Sequence, residues 1–303
     1  MAIITRNPIW ETVGTTINSG YDVESVLEEA GLNWTVEKKP IQVVWGKKIP
    51  DYVANVRSSD GKVLGVVGTK YVIVQNITAF KFLNELLQRG CQIEKSGTFA
   101  GGKKVWILVK LETFEVLGDE VQNYILVVNS FDGSGSVKIC VTPIRVWCQN
   151  KINIAFRKAK STYSLRHTTN VETRIDLIAQ AQDVLGIAHE YTVRLSEFAE
   201  ELAKKEVDDF QLKSILNGLF PVTEKSSELQ KRRAEESKEA FYICYAAPDL
   251  DRFRGTAWGV VNAVADLVDH SLPHKNTANY AENNFAKSAE GHPLLNKVVR
   301  MVG

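Results

Sequence analysis

The chain has 303 residues, 44% of them hydrophobic, and 37 Lys and Arg against 36 Asp and Glu, for a formal charge of +1. That composition supports a core of one large or two ordinary domains and excludes a chain basic throughout. No apolar run approaches the roughly 18 residues of a membrane span, and four cysteines without CxxC spacing argue against a disulfide framework or a zinc site. The N-terminus has no basic segment followed by an apolar core, so the expectation is a cytoplasmic protein with reduced thiols.

Taken in order, Tyr21 to Ala30 reads as a helix, with apolar positions Val23, Val26, Leu27 and Ala30 and a closing Gly31. Residues 34–56 alternate as short strands joined by polar turns, and Ser58-Ser59-Asp60-Gly61-Lys62 is a hairpin turn into a strand at 63–67. Tyr71 to Asn76 reads as another strand, with Asn76 capping a helix from Ile77 to Arg89 that Gly90 ends. Ile93–Thr98 and Val105–Leu111 form a hairpin about Gly101-Gly102-Lys103-Lys104. The apolar run Tyr124–Val128 turns at Asp132-Gly133-Ser134-Gly135 and returns through Val137, Ile139 and Val141.

At Thr142-Pro143 the period changes to that of a helix, through Ile144, Trp147, Cys148, Lys151, Ile152 and Phe156. Helical patterns then cover 171–206, 208–220, 226–245 and 255–270, the last with small residues that let a neighbour approach. The segment 274–289 reads as polar loop before a short terminal helix. The fold class is α+β: an antiparallel β-sheet with packed helices in residues 1–170, and an all-helical region at 171–303 that packs on it or on neighbouring subunits.

Chemistry is sparse. Both glycine-rich stretches sit in hairpin turns, not between strand and helix, so neither cradles a phosphate; no GxSxG or HExxH occurs. His270 and His274 are spaced as a metal pair, but Pro273 between them ends the helix, and a helix C-terminus bearing histidine is the simpler account. Carboxylates of Glu94, Glu112 and Asp132 make a nuclease cluster only if folding gathers them. No catalytic residue, metal or cofactor is expected.

Charge is the stronger signal. Between Asp132 and Glu172 there is no acidic residue, whereas Lys138, Arg145, Lys151, Arg157, Lys158, Lys160 and Arg166 supply seven positive charges. Interleaved basic and aromatic residues are how single strands are held without sequence preference: cations track phosphates and rings stack on bases. Trp106, Trp147 and Phe156 sit among apolar neighbours and read as core. Phe131, in a turn, and Tyr163, in a polar segment, read as exposed. The candidate nucleic-acid-binding set is therefore Lys103, Lys104, Phe131, Lys138, Arg145, Lys151, Arg157, Lys158, Tyr163 and Arg166.

The series LGVVGTKYVIVQN (64–76), AFKFLNELL (79–87), GGKKVWILVKL (101–111), NSFDGSG (129–135), PIRVWCQN (143–150), RHT (166–168) and GTAWGVVNAVADLVDH (255–270) resembles the phage/plasmid-like protein family, a domain of unknown function found in phages, plasmids and mobile elements. The resemblance implies a cytoplasmic protein of the bacterial host's mobile elements and carries no established activity. A looser likeness, of organisation only, is to phage strand-annealing recombinases, which implies an oligomeric ring with a basic groove. The expected function is single-stranded DNA binding and annealing in phage or plasmid recombination or replication, by a homo-oligomer that uses no membrane. The other expectation is a host-interaction or counter-defence protein that binds a protein partner through its helical half, notably the exposed face of the 255–270 helix.

Overall fold

A capping box starts the first helix. In the computed structural model, which describes residues 12–18, 21–145, 162–171, 181–270, 279–289 and 291–303, the Asp22 carboxylate accepts from the Ser25 amide at 2.8 Å. Helix α1 (Val23–Glu29) buries Val23, Val26 and Leu27, and Gly31 follows at φ +65°, as the C-terminal glycine pattern requires. Strands β2 (Val36–Gln42), β3 (Lys48–Arg57) and β4 (Val63–Gly68) form an antiparallel three-stranded sheet. Arg57 grips Asp60 with two hydrogen bonds at the β3–β4 turn, and this guanidinium holds the Asp60 carboxyl at about 2.

The strand expected at 71–76 does not form. The segment is extended, but side chains satisfy its backbone instead of a neighbouring strand. Asn129 Nδ2 donates to the Val74 carbonyl at 2.8 Å and His167 Nδ1 lies 3.0 Å from the Val72 carbonyl, while the Gln75 amide in turn pairs with the Val36 backbone, at 2.9 and 3.0 Å. The helix expected over 77–89 is two short ones, α2 (Asn76–Phe80) and α3 (Leu83–Gln88), joined by i→i+3 bonds such as Asn84 N–H to Lys81 O. Asn76 lies inside α2, with its side chain donating to the Leu32 carbonyl.

The larger sheet has six strands in the order β1 (Thr15–Thr16), β5 (Gln92–Phe99), β6 (Lys104–Val116), β7 (Asp119–Ser130), β8 (Val137–Arg145) and β9 (Thr162–Leu165), each pair antiparallel. Its middle is covered on both sides. Val105, Ile107, Ile125, Val127, Val137 and Ile139 pack with Phe80, Leu83 and Leu86 of the short helices, while Trp106, Leu108, Leu126, Val128 and Cys140 face the other way. Burial on both faces explains why β7 reads as an unbroken apolar run and not as an alternation.

The helix expected from Pro143 does not begin there. Pro143 pairs with Asn123 inside β8, and the β7–β8 ladder runs on to Val121–Arg145. Beyond Cys140–Thr162 the described residues pair no strand with the outer edge of β8, which makes this an edge position, where a proline is tolerated in a sheet. Residues 146–161, which hold the rest of that expected helix, lie outside the described residues.

Helices α4 (Ala181–Lys204), α5 (Asp209–Leu219), α6 (Glu228–Tyr245), α7 (Ala257–His270), α8 (Tyr280–Ala289) and α9 (Pro293–Val302) complete the described chain. Capping boxes Asp208/Gln211 and Ser227/Gln230 open α5 and α6 where the sequence places them. α7 is the axis of the helical core: 12 of its 14 residues are buried, Trp258 among them, so it presents no exposed face to a partner. Val116, Val121 and Val141, at one end of the large sheet, enter this same core, and Arg252 closes the junction with an ion pair to Asp119.

α8 replaces the loop expected before the terminal helix. It buries one large side chain, Phe285, whose ring lies 5.0 Å from Trp106 and 5.7 Å from Phe99. A helix held by a single apolar anchor leaves no 3.6-residue period to read.

Gly259 within α7 gives a sharp test of this packing. A Cβ there would stand 2.2 Å from the Phe253 carbonyl oxygen, a backbone atom with no room to withdraw. Alanine in a helix interior ordinarily gains about 1 kcal/mol over glycine. Here overpacking reverses the sign, and Gly259→Ala is expected to lower stability by about 1–3 kcal/mol in urea unfolding.

Candidate nucleic-acid interface

The motifs at 64–76, 129–135 and 166–168, far apart in sequence, meet at one end of the large sheet. Tyr71 stacks on His167 with ring centroids 4.7 Å apart and donates its hydroxyl proton to the Ser130 carbonyl at 2.6 Å. The Asn55 side chain of β3 donates to the Phe131 carbonyl at 2.7 Å, and the Phe131 amide donates to the Lys103 carbonyl at 2.8 Å. Asp132 accepts from the Ser134 amide and hydroxyl and from the Ser130 hydroxyl. Burial pushes its carboxyl up, but these bonds and the charge of Lys104 outweigh that and hold it below the usual carboxylate range. Gly65 of β4 lies against this turn so closely that a Cβ would meet the Asp132 Cα at 2.5 Å. The motif residues thus bind one another and lock the small sheet onto the large one.

His167 is the electrostatic weak point of this junction. Its Nδ1 is 3.0 Å from the Val72 carbonyl, which can only accept, so the proton sits on Nδ1 and Nε2 is left buried with no partner. Burial pulls its pKa down, against smaller upward pulls from that hydrogen bond and from Asp132. With the folded pKa below the unfolded value of about 6.5, the unfolded chain binds more protons as pH falls. The stability His167 contributes is therefore complete above about pH 6.5 and is lost on acidification through its folded pKa. The thermal midpoint is expected to fall between pH 7.5 and 5.5, and His167→Gln to flatten that fall.

The expected binding residues do not form one wall. Lys104 and Lys138 share a face of the large sheet: Lys104 pairs with Ser130, and Lys138 lies between Val128 and Ser164. Lys103 and Arg166 are exposed at the same end. Tyr163 pairs with Ile139, which places it on the opposite face from Lys138, half-buried against the core of the short helices. Phe131 is corrected outright. It is 0% exposed, its ring packed 5.4 Å from that of Trp34, because the β7–β8 turn folds back under the small sheet instead of into solvent. No base can stack on it. Of Arg145 only the backbone is described, and Lys151, Arg157 and Lys158 lie outside the described residues.

Glu94, Glu112 and Asp132 are not gathered. Glu94 accepts from the Tyr124 hydroxyl at 2.8 Å, and Glu112 and Asp132 lie toward opposite ends of the β6–β7 pair. Among the described residues no group of three His, Cys, Asp or Glu is placed to hold a metal ion, and no helix is long and apolar enough to cross a membrane.

A different element carries the most accessible combination of rings and cations. β4 pairs with β3 only as far as Tyr52–Gly68, so beyond that point β2 and β3 run on as a two-stranded arm. From Lys38 to Tyr52 every residue except Ile41 is exposed. The tip is closed by a Val43 N–H bond to the Lys47 carbonyl at 2.9 Å and by Gly46 at φ +87°. Trp45 stands at the tip with 97% of its surface in solvent and Val44 is exposed next to it, while Tyr52 is exposed at the base of the arm, opposite Gly68.

Four lysines, Lys38, Lys39, Lys47 and Lys48, flank these rings against one acid, Asp51. Lys39 pairs with Glu37 and Lys38 donates to the Thr69 carbonyl at 2.8 Å, while Lys47 and Lys48 have no partner among the described residues. Sequence reasoning passed over the arm by counting Val43, Val44 and Trp45 among the alternating strand positions of 34–56. The readable signal was Val43-Val44-Trp45, an apolar triplet where a hairpin ordinarily turns with polar residues.

Comparison with curated proteins and with solved structures finds no match. A family model covers residues 63–289, from β4 through α8, which takes in the junction built by Tyr71, Asp132 and His167 and leaves out the arm. Matched over three quarters of its length, the chain belongs to the family described as a domain of unknown function, DUF932.

Proposed function

We propose that the chain binds single-stranded DNA without sequence preference, and that it serves strand annealing in phage or plasmid recombination or replication as a homo-oligomer. The observation that carries this reading is the β2–β3 arm: an isolated two-stranded hairpin is marginally stable in water, and this one spends its exposed surface on Trp45, Tyr52 and four lysines. A ring with both faces in water beside unpaired ammonium groups suits a ligand that offers flat apolar bases along a chain of phosphates. Lys103, Lys104, Lys138 and Arg166 extend positive charge to the end of the large sheet, and the basic segment with Lys151, Arg157 and Lys158 follows β8 in the chain. No catalytic group has a part in this reading.

A protein partner is favoured by a separate observation. Tyr52, Val63 and Val66 are exposed together on the outer side of the small sheet. In an oligomer this apolar side faces a second copy.

Fluorescence anisotropy with a labelled oligonucleotide at about 50 and 200 mM salt tests the proposal, alongside the triple variants Trp45→Ala/Lys47→Gln/Lys48→Gln and Lys151→Ala/Arg157→Ala/Lys158→Ala. Binding that weakens with salt and falls in the arm variant supports it. Binding indifferent to salt, or absent at 50 mM, removes it and turns the search to a protein ligand.

A further inference from the structure

The two halves of the chain carry opposite charge. Residues 1–170 hold 21 basic against 15 acidic side chains, and residues 171–303 hold 16 against 21. The fold sets these halves at opposite ends of the large sheet: the small sheet closes over the β7–β8 turn, whereas the helical core takes in Val116, Val121 and Val141. Resting on the homo-oligomer proposed above, we infer that copies of this chain associate head to tail. The outer face of the small sheet on one copy receives the corner between α4 and α5 of the next.

Strand register defines the receiving face. Asn55 points inward to the Phe131 carbonyl, so Tyr52, Ala54 and Val56 of β3 point outward, beside Val63, Val66 and Gly68 of β4 and Lys39 of β2. Tyr52, Val63 and Val66 are each more than half exposed, an apolar group on an otherwise polar surface. Ala54 pairs with Val66 and Gly68 with Tyr52, so the two smallest residues leave a shallow depression between the two larger ones. The sheet proper, residues 36–42 and 52–70, rims this face with five basic against two acidic residues. The arm runs on past the Tyr52–Gly68 pair, clear of the contact, and keeps Trp45, Lys47 and Lys48 for a strand.

Phe210 suits that depression. It stands on the first turn of α5 with 81% of its surface in solvent. Residues 197–210 around it carry six acidic against two basic side chains, and of the six only Glu197 is ion-paired among the described residues, with Arg194. An exposed ring among carboxylates and an apolar face rimmed by cations match in both shape and charge, with an aromatic anchor at the centre and polar groups at the edge. Because the two surfaces differ and lie at opposite ends of one copy, engaging one leaves the other free, and association continues into a closed ring or an open filament. Three strands about 4.8 Å apart, each about six residues long, give a face of only about 15 by 20 Å, so micromolar affinity is expected.

Sedimentation velocity of the full chain at about 1–100 µM decides it. The parent's mass is expected to rise with concentration and to fall toward that of a monomer as salt is raised from about 50 to about 500 mM. Val66→Glu and Phe210→Arg, both at exposed positions, are expected to keep the parent's thermal midpoint and to stay monomeric. Should Val66→Glu unfold, Lys39→Glu takes its place. Mixed in equal amounts, the two variants are expected to form a one-to-one pair and go no further, since each retains the surface that the other lacks. A Phe210→Arg protein that still associates, or a mixture that does not pair, overturns the head-to-tail contact and leaves a homo-oligomer of another kind, such as a face-to-face dimer. A parent that stays monomeric at about 100 µM overturns the contact and the homo-oligomer together. The Trp45→Ala/Lys47→Gln/Lys48→Gln arm variant is expected to associate as the parent does, so failure of this contact and failure of the arm are read separately.

Discussion

Replacing Trp45 by alanine is expected to weaken single-stranded DNA binding by roughly 5- to 150-fold, the equivalent of about 1–3 kcal/mol for one stacked base. The residue touches almost nothing in the folded chain, being 97% exposed at the tip of the arm, so its loss leaves no cavity and the unfolding midpoint should not move. Neutralising Lys47 and Lys48 acts differently. It is expected to lower the slope of log K against log salt by about 1.4, at 0.7 per phosphate contact, and to weaken all sequences alike. Anisotropy titrations at several ionic strengths separate the two contributions: the tryptophan changes affinity at fixed slope, and the lysines change the slope itself. A Trp45→Ala protein that binds as tightly as the parent would take the arm out of the interface.

Phe131→Ala is expected to cost about 3–5 kcal/mol of folding stability, the usual range for emptying a buried phenylalanine site. Its ring fills the space beneath the small sheet, beside Trp34 and below the Asn55 bond to its own carbonyl. Removing it opens a cavity where β3, β4 and the β7–β8 turn meet. Equilibrium urea unfolding should show the full loss, whereas DNA affinity measured on the folded fraction should not change. Phe131→Leu keeps most of the volume and should recover much of the stability. Were Phe131→Ala instead to fold normally and lose DNA binding, the ring would have to leave the core to meet a base, and the packing described here would be wrong. The two variants, Trp45→Ala and Phe131→Ala, thus exchange the effects that local sequence alone assigns to a turn aromatic and to a residue in a strand-rich stretch.

The proposed nucleic-acid interface draws on one physical circumstance, that the arm leaves a ring and the ammonium groups of Lys47 and Lys48 in water. The family match spans the Tyr71–Asp132–His167 junction but not the arm. The junction therefore belongs to the part of the chain shared with the family, and the arm lies outside that part.

Local pattern was enough wherever a residue's role depends on its near neighbours. The helices near Tyr21–Ala30, 208–220 and 226–245, the turns at Gly61 and Gly133, the hairpin of β5 and β6, and the α+β order of sheet before helices were all legible, because turns and period are set within a few residues. Trp106 was legible as core for the same reason. What escaped was decided by contacts distant in sequence. The 71–75 segment stays out of a sheet because Asn129 and His167 supply its hydrogen bonds. Pro143 stays in a strand because β9 stops short of it, α8 is a helix because Trp106 and Phe99 receive Phe285, and Phe131 is core because Gly65 lets the small sheet close over its turn. The arm belongs to this second group: composition contains its residues, but exposure is a property of the assembled surface, and only tertiary packing decides which side chains it leaves in water.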